Sequence, residues 1–434
     1  MSNVETNANQ PGPQAEEWLK RSKCSKVQAP SHIFAGLVTL RGEGSYVFDV
    51  DGKRYIDFTA QRFSLGYCHP RVAEAIKHAV ARGGDVDVTA MIACAEKLKE
   101  IAPPNLSNGL VHFTRGGTLA TEHAILALKR YSGRTAFLAC QGSYHGSAFA
   151  SLSLTMDRSE MRRGLYPFMS DVVHVPYAYC YRCPHGQEYP SCDLRCIEYI
   201  RYVLDTVIHP DDTAGFFVEP VQTHSGIVVP PDGYLQGVRR ICDERNIPLV
   251  DDEIVTGLGR TGKMFGIENW NVRPDIILLG KPLGSPLTLG AVIGKRAIME
   301  AHKDGSGGAP IPCAAALAMI EAISEERLME NALKTGEYIL KRLKELQEKH
   351  EIIGDIRGKG LLIGLEFVQD LESKKPATKE ARNIVAKAYE NGLLILLGGT
   401  YSQSVRLSPP LNLTREQAEE AVGILEKTLK DLGL

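Results

Sequence analysis

The sequence predicts an α/β protein in which a mostly parallel mixed sheet flanked by helices is accompanied by a smaller α+β domain. Three observations predict this fold class. Short apolar runs alternate with amphipathic stretches from about residue 110 onward, a hairpin pattern precedes them, and a long charged helical stretch with two more apolar runs follows them. Buried strands alternating with helices are typical of sheets that carry helices on both faces.

The central runs predict buried strands because they are short and are separated by helical patterns such as TEHAILALKRY and YLQGVRRICDER. In chain order the runs are GLVHF, TAFLAC, DVVHVP, AGFFVEP, IPLVDDE, DIILLG and LGAVIG. In an open parallel sheet, ligands bind at the carboxyl ends of the strands. Polar residues that end these runs are therefore candidate site residues.

Both ends of the chain differ from this centre. The segment GSYVFDVDGKRYIDF alternates around Asp51-Gly52 and predicts a β-hairpin. Near the other end, KGLLIGLEFV and SVRLSPPL predict strands that follow the long charged helical stretch. We therefore assign residues 71–319 to a large α/β domain, and residues 31–70 together with 320–434 to a small α+β domain.

Residues 1–30 predict a flexible N-terminal tail, because the opening stretch is polar and rich in Asn, Gln and Pro. The 434 residues include 50 Lys and Arg against 52 Asp and Glu, a net charge of −2 that offers no field to attract nucleic acid or anionic membranes. No window approaches the roughly 20 apolar residues that span a bilayer. We expect a cytoplasmic protein without a nucleic-acid or membrane partner.

A cysteine-rich insertion at residues 180–196 leaves three states open. Cys180, Cys183, Cys192 and Cys196 have C-x2-C-x8-C-x3-C spacing. Four thiolates suit structural zinc, whereas one or two disulfides and plain reduced thiols fit the same spacing. Each state would be structural, and we expect no catalytic metal.

Three polar residues end the apolar runs: Glu219 after AGFFV, Asp252 after IPLVD, and Lys281 after DIILLG. A lysine at the end of a buried strand is partly desolvated, which lowers the pKa of its amine and favours attack on a carbonyl. A carboxylate on the neighbouring strand suits a protonated pyridine nitrogen. The simpler alternatives are a lysine that reaches solvent and an Asp that caps the next turn.

A third element follows the first central strand. In HFTRGGTLATEHAILALKRY, Gly116, Gly117 and Thr118 follow a strand and open a helix. Backbone N–H groups at a helix start bind phosphate, especially beside a hydroxyl, although a Gly pair in this place is often only a turn.

These residues lie within a longer resemblance. The stretch DDEIVTGLGRTGKMFGIENWNVRPDIILLGKPLG resembles the signature of class III aminotransferases, the pyridoxal-phosphate enzymes of fold type I. The resemblance covers about residues 35–430, with GEGSYVFDVDGKRYIDF, GYCHPRVAEAI, YHG, FFVEPVQ, IGDIRGKGLLIGLEF and VRLSPPLNLT in family order. It implies that residues 71–319 bind pyridoxal 5′-phosphate, and that the protein is a homodimer with active sites at the interface.

The resemblance also implies roles for single residues. Lys281 would form the aldimine with the cofactor and move the substrate proton, and Asp252 would hold the pyridine nitrogen protonated. Ile254 and Tyr144 would cover the two faces of the cofactor ring. Glu219 would lie beside the cofactor. Arg406 would bind a substrate carboxylate, for which a planar guanidinium is suited, although a surface ion pair is its simpler reading.

Several positions depart from the family pattern. Gly116-Gly117-Thr118-Leu119 stands where the family usually has Ser-Gly-Thr-Glu, so one hydroxyl is lost. Phosphate would bind more weakly, unless Arg115 compensates. Val255 stands where the family often has a glutamine. Gly305 replaces a threonine that reaches the phosphate of the neighbouring subunit, and Ser306 is its candidate substitute.

One departure concerns the substrate. His224 stands where family members that accept ω-amino donors carry a glutamate, which favours an α-amino acid as the donor.

The leading functional prediction is a transaminase that moves an amino group from an amino acid or amine to a 2-oxo acid through Lys281. The alternative is an amino-acid racemase or a dialkylglycine-type decarboxylase of the same family, since Gln61 lies near the segment where the decarboxylase has a glutamine. A non-catalytic scaffold protein is a third possibility. It is supported only by Val255 and by the altered phosphate cradle, the name used below for Gly116, Gly117 and Thr118.

Overall fold

The computed structural model describes residues 11–25, 36–165, 171–302 and 307–434. It divides the chain into two compact units. We call Pro70–Met329 the central unit, and Met1–His69 with Glu330–Leu434 the terminal unit.

The strands and helices have the following bounds. The strands are β1 (Thr39–Glu43), β2 (Tyr46–Asp49), β3 (Arg54–Asp57), β4 (Leu110–Thr114), β5 (Ala136–Cys140), β6 (Val172–Val175), β7 (Thr213–Val218), β8 (Leu249–Asp252), β9 (Ile276–Leu279), β10 (Gly290–Gly294), β11 (Ile353–Lys359), β12 (Leu362–Phe367), β13 (Leu393–Leu394), β14 (Leu396–Gly398) and β15 (Ser404–Leu407). The helices are α1 (Pro13–Ser25), α2 (Pro70–Ala81), α3 (Thr89–Ile101), α4 (Gly117–Ser132), α5 (Phe149–Leu154), α6 (Arg195–Thr206), α7 (Tyr234–Glu244), α8 (Arg296–Glu300), α9 (Pro310–Glu325), α10 (Leu328–Gln347), α11 (Thr378–Glu390) and α12 (Arg415–Asp431).

The central unit is built on a seven-stranded sheet in the order β4-β10-β9-β8-β7-β5-β6. Strand β10 runs antiparallel to both β4 and β9, and the other pairs are parallel, so six strands point the same way. Phe217, Val250 and Leu278 are fully buried on neighbouring strands and belong to the core beneath α4. The predicted fold class, a mostly parallel mixed sheet with helices, is confirmed.

The terminal unit contains two four-stranded sheets, β1-β2-β3-β13 and β11-β12-β15-β14. Strands β2 and β3 form the predicted hairpin, with Phe48 paired to Arg54. Gly52 turns the chain at a φ of 87°, a conformation that costs glycine little. The second sheet is antiparallel throughout and contains both strands predicted near the carboxyl end.

Helix α1 lies within the stretch 1–30 that the sequence predicts as a flexible tail. The carboxylate of Asp51 accepts hydrogen bonds from the backbone N–H groups of Gln14 (3.0 Å) and Ala15 (3.1 Å) in its first turn. The side chain of Ala15 is buried. Since the cap comes from a residue 36 positions away, local composition does not reveal this helix.

The long charged stretch SEERLMENALKTGEYILKRLKELQEKH forms helix α10, as predicted, and a separate apolar helix precedes it. Helix α9 ends at Glu325 and α10 begins at Leu328. Between them Arg327 has a φ of 54°, which is incompatible with a continuous right-handed helix. Within the described ranges, every helix is too short or too polar to cross a bilayer.

Candidate active site

Three polar residues meet at the carboxyl edge of the central sheet. Glu219 directly follows β7, Asp252 ends β8, and Lys281 comes two residues after β9. The three strands are parallel neighbours, with Val218 paired to Asp251 and Asp252 paired to Leu278. The register therefore brings the three residues singled out from the sequence to one place.

Asp252 is buried and its carboxylate is held at both oxygens. Its Oδ2 accepts a hydrogen bond from Nδ1 of His145 at 2.7 Å, and its Oδ1 accepts one from the backbone N–H of Ile254 at 3.1 Å. The His145 side chain is fully buried, and its Nε2 has no hydrogen-bond partner among the described residues. These contacts fix the direction of the carboxylate.

His145 is a site residue that the sequence analysis missed. The signal was the middle residue of YHG, a stretch from which only Tyr144 was selected. His145 lies 107 positions from Asp252, so neither periodicity nor spacing indicates the pairing.

Glu219 ties two loops together. One oxygen accepts a hydrogen bond from the backbone N–H of Tyr144 at 2.9 Å, and the other accepts from the N–H of Thr223 at 3.1 Å and from its hydroxyl at 3.2 Å. Burial is the main cause that raises the pKa of Glu219, to about 7. The Asp252 carboxylate raises it further, whereas His145 and the two N–H donors oppose the shift.

The start of α4 lies beside this cluster and is a candidate anion site. Gly116 precedes the helix at a φ of 112°, and no side chain caps the helix start. The 16-residue helix therefore presents uncapped N–H groups and the positive end of its dipole. Thr118 faces the YHG loop, since its Cγ2 lies 3.2 Å from the place where a Cβ on Gly146 would be.

Backbone contacts bring the cradle and the Lys281 segment together. A Cβ on Gly117 would lie 2.7 Å from Cδ1 of Ile254, and a Cβ on Gly280 would lie 2.9 Å from Cα of Gly117. The chain leading into Lys281 thus crosses the first residue of α4 at a distance that only glycine allows. Ile254 packs into the same contact.

Lys281 itself has an unusual backbone. Its φ is 31°, a value that L residues rarely adopt, and its side chain is half-buried. Backbone strain of this kind costs on the order of 1–3 kcal/mol and is found most often at functional sites.

The ring of Tyr144 stacks on His224. The ring centroids are 4.1 Å apart and the planes differ by 7°. Nδ1 of His224 donates a hydrogen bond to Oδ2 of Asp157 at 3.3 Å, and Asp157 is 2 % exposed. The expectation that Tyr144 covers a cofactor ring stays a prediction, and the structure adds that one face of Tyr144 is backed by an imidazole.

Lys281, an oriented carboxylate and an uncapped helix start thus lie at one edge of the central sheet. The model for class III aminotransferases matches residues 27–429 of the chain. The chain belongs to the class III aminotransferase family. The resemblance noted in the sequence is thereby confirmed.

Two curated relatives match almost the whole chain of this class III protein. An alanine/serine racemase of Pyrococcus horikoshii is 38 % identical over 97 % of the chain and 91 % of its own length. A leucine/methionine racemase of Thermococcus litoralis is 37 % identical over 96 % of both.

Two solved structures match it as well. A Bacillus anthracis aminotransferase has 30 % identity and a TM-score of 0.89, covering 98 % of this chain and 100 % of that chain. An amine transaminase from an uncultivated Pseudomonas species, solved in its PLP-bound form, has 28 % identity and a TM-score of 0.85 over 99 % and 100 %.

Two further residues assigned from the family pattern belong to the other unit, and a third is not described. Arg406 and Gln61 belong to the terminal unit and are buried there. The Arg406 side chain lies across Gly398, and its Nε donates a hydrogen bond to the carbonyl of Leu397 at 3.2 Å. Nε2 of Gln61 has no hydrogen-bond partner among the described residues. Ser306 lies outside the described residues.

The four clustered cysteines line one pocket of the central unit together with His185. None of the four forms a disulfide. Burial and the neighbouring thiols Cys192 and Cys183 raise the pKa of Cys180, and burial raises that of Cys196 to about 12. The described ranges hold no group of three or more His, Cys, Asp or Glu side chains that suits a metal ion.

Proposed function

We propose that the protein is a pyridoxal-phosphate-dependent aminotransferase that moves an amino group from an α-amino acid to a 2-oxo acid. One observation carries this proposal. Lys281 and Asp252 lie at the ends of neighbouring parallel strands, beside the uncapped start of α4. Amine, carboxylate and anion cradle are the groups that an aromatic aldehyde with a pyridine nitrogen and a phosphate requires.

The residues present fit this cofactor. The glycines at the cradle let the backbone before Lys281 approach the start of α4 closely, since a Cβ on Gly280 would lie 2.9 Å from Cα of Gly117. The buried Asp252 carboxylate is already oriented by His145, so it would need little reorganisation to accept a hydrogen bond from a pyridinium N–H. The lost hydroxyl of the cradle removes one donor but leaves the backbone N–H groups and Thr118.

When bound, pyridoxal phosphate withdraws electrons from the substrate Cα and so stabilises negative charge there. The chain supplies the rest. Nζ of Lys281 would take the proton from the substrate Cα and carry it away from that carbon, a general acid/base contribution usually worth about 10²–10⁴ in rate. Asp252 would hold the pyridine nitrogen protonated, and His145 orients the Asp252 carboxylate for that role. Glu219 fixes the backbone of Tyr144, the residue that would cover the cofactor ring.

We assign substrate recognition to the terminal unit. Arg406 offers a planar guanidinium to the substrate α-carboxylate, and Gln61 offers an amide nitrogen. A histidine at position 224 supports α-amino acids, because it lacks the carboxylate that would pair with Arg406 when the substrate has no α-carboxylate.

A second candidate is amino-acid racemisation. It is favoured by the two curated relatives, an alanine/serine racemase and a leucine/methionine racemase. Racemisation shares the cofactor, Lys281 and the first proton removal with transamination. The two reactions differ in where the proton returns.

Chiral chromatography of reactions with a panel of L-amino acids, each with and without a 2-oxo acid, tests the proposal. We expect a new oxo acid and a new amino acid only when the acceptor is present. Formation of the D-amino acid without acceptor would show that the protein is a racemase and not a transaminase. Replacing Lys281 by alanine should abolish either reaction, whereas K77A, which removes an exposed lysine on α2, should not.

We also propose a homodimer. Leu119 at the start of α4 is 45 % exposed and Phe149 at the start of α5 is 63 % exposed. The two helix starts are tied together, since Glu122 accepts a hydrogen bond from the N–H of Ser151 at 2.7 Å. Apolar side chains exposed beside a cofactor cradle support an interface there. Light scattering coupled to gel filtration should give about twice the mass of the chain.

We further assign the protein to the cytoplasm. All nine cysteines for which the structure gives a state are free thiols, which suits a reducing compartment. Fractionation of cells that produce the protein tests this assignment.

A further inference from the structure

Backbone hydrogen bonds hold both of the loops that carry the stacked rings of Tyr144 and His224. Glu219 receives the N–H of Tyr144 at one oxygen and the N–H of Thr223, the residue before His224, at the other. One buried carboxylate thus sets the distance between the two loops. The rings then meet at 4.1 Å with nearly parallel planes.

His224 is in turn held by a hydrogen bond to Asp157. Asp157 accepts its Nδ1–H at 3.3 Å, and Asp157 is itself held by the backbone N–H of Arg158 at 2.9 Å. A carboxylate acceptor at Nδ1 places the ring proton there and fixes the imidazole plane. Tyr144 is therefore packed against a ring whose own orientation is determined.

We propose that His224 is a positioning residue that holds the plane of Tyr144 for stacking on the bound cofactor. This inference rests on the proposed function, because it assumes that Tyr144 contacts pyridoxal phosphate. If His224 already restricts the Tyr144 side chain in the cofactor-free protein, binding does not have to restrict it further. The entropy cost of binding is then smaller, and the cofactor binds more tightly. A glutamate at position 224 offers no aromatic face and no such support.

A double-mutant cycle on the affinity for pyridoxal phosphate tests this role. The dissociation constant is measured by titrating cofactor-free protein with pyridoxal phosphate and following absorbance. We expect H224A to raise the constant about threefold to tenfold, the range that aromatic pairs are worth. In a Y144A background the same change should have less than about a twofold effect, since His224 acts through Tyr144.

The conservative variant H224F keeps an aromatic face and should restore affinity to within about twofold of the wild type. H209A is the matched control, because His209 is an exposed histidine of the same unit. Circular dichroism of each cofactor-free variant reports folding. If H224A does not fold, the comparison of H224F with the wild type decides.

The outcomes separate the two ideas. Wild-type protein that does not bind pyridoxal phosphate would overturn the proposed function. Wild-type protein that binds it, with H224A equally costly in both backgrounds or with H224F as weak as H224A, would overturn only the positioning role.

Discussion

Replacing Gly117 by alanine probes the contact that brings the cradle, Ile254 and the Lys281 segment together. The new Cβ would lie 2.7 Å from Cδ1, 3.0 Å from Cγ1 and 3.1 Å from Cγ2 of Ile254. Overpacking of this kind costs about 1–3 kcal/mol. Alanine in place of glycine returns up to about 1 kcal/mol at a helical position. We therefore expect G117A to lower the free energy of unfolding by about 1–2 kcal/mol.

Thermal unfolding of the cofactor-free protein, followed by circular dichroism, measures this loss. A change of 1 kcal/mol corresponds to a midpoint shift of about 2–4 °C for a unit of this size. Because the cost comes from Ile254, it should largely disappear in an I254A background. G423A is the matched control: it lies in helix α12, its Cβ would meet nothing within 4 Å, and it should stabilise the protein by about 0.5–1 kcal/mol.

The reasoning fails under either of two results. G117A that unfolds at or above the wild-type temperature would show that the contact relaxes at no cost. An equal loss with isoleucine and alanine at position 254 would show that Ile254 is not its source.

Three further predictions concern activity and pH. R406A should raise KM for α-amino acids at least tenfold while the affinity for pyridoxal phosphate stays near wild type, and an unchanged KM in steady-state assays would remove Arg406 from the site. H145A leaves the buried Asp252 without its 2.7 Å donor and should weaken pyridoxal-phosphate binding about fivefold to hundredfold in an absorbance titration; unaltered binding would show that the donor is dispensable. Burial lowers the pKa of both His123 and His174 to about 4, so between about pH 6.5 and 4 the unfolded chain binds more protons than the folded one. The denaturation midpoint should therefore fall as the pH drops through that window, and it should fall less for H174L than for the wild type. The same dependence of the midpoint on pH in both proteins would contradict this prediction.

Much of the candidate site could be predicted because its residues end buried strands. An apolar run ending in Asp252 or Lys281 is visible in the sequence, and parallel neighbours share one edge. The start of α4 was equally visible, since Gly116 and Gly117 precede a helical pattern. The helix in the predicted tail was not, because its cap comes from Asp51 in a distant hairpin.

The sequence by itself thus determined the fold class, the family and the strand-end residues, since period and local residue type encode burial and strand direction. Only the tertiary structure decided which side chains support them. His145 meets Asp252 across 107 positions, and Tyr144 meets His224 because Glu219 binds the backbone of both loops. Contacts of this kind depend on the paths that loops take between strands, and no local pattern of residues records those paths.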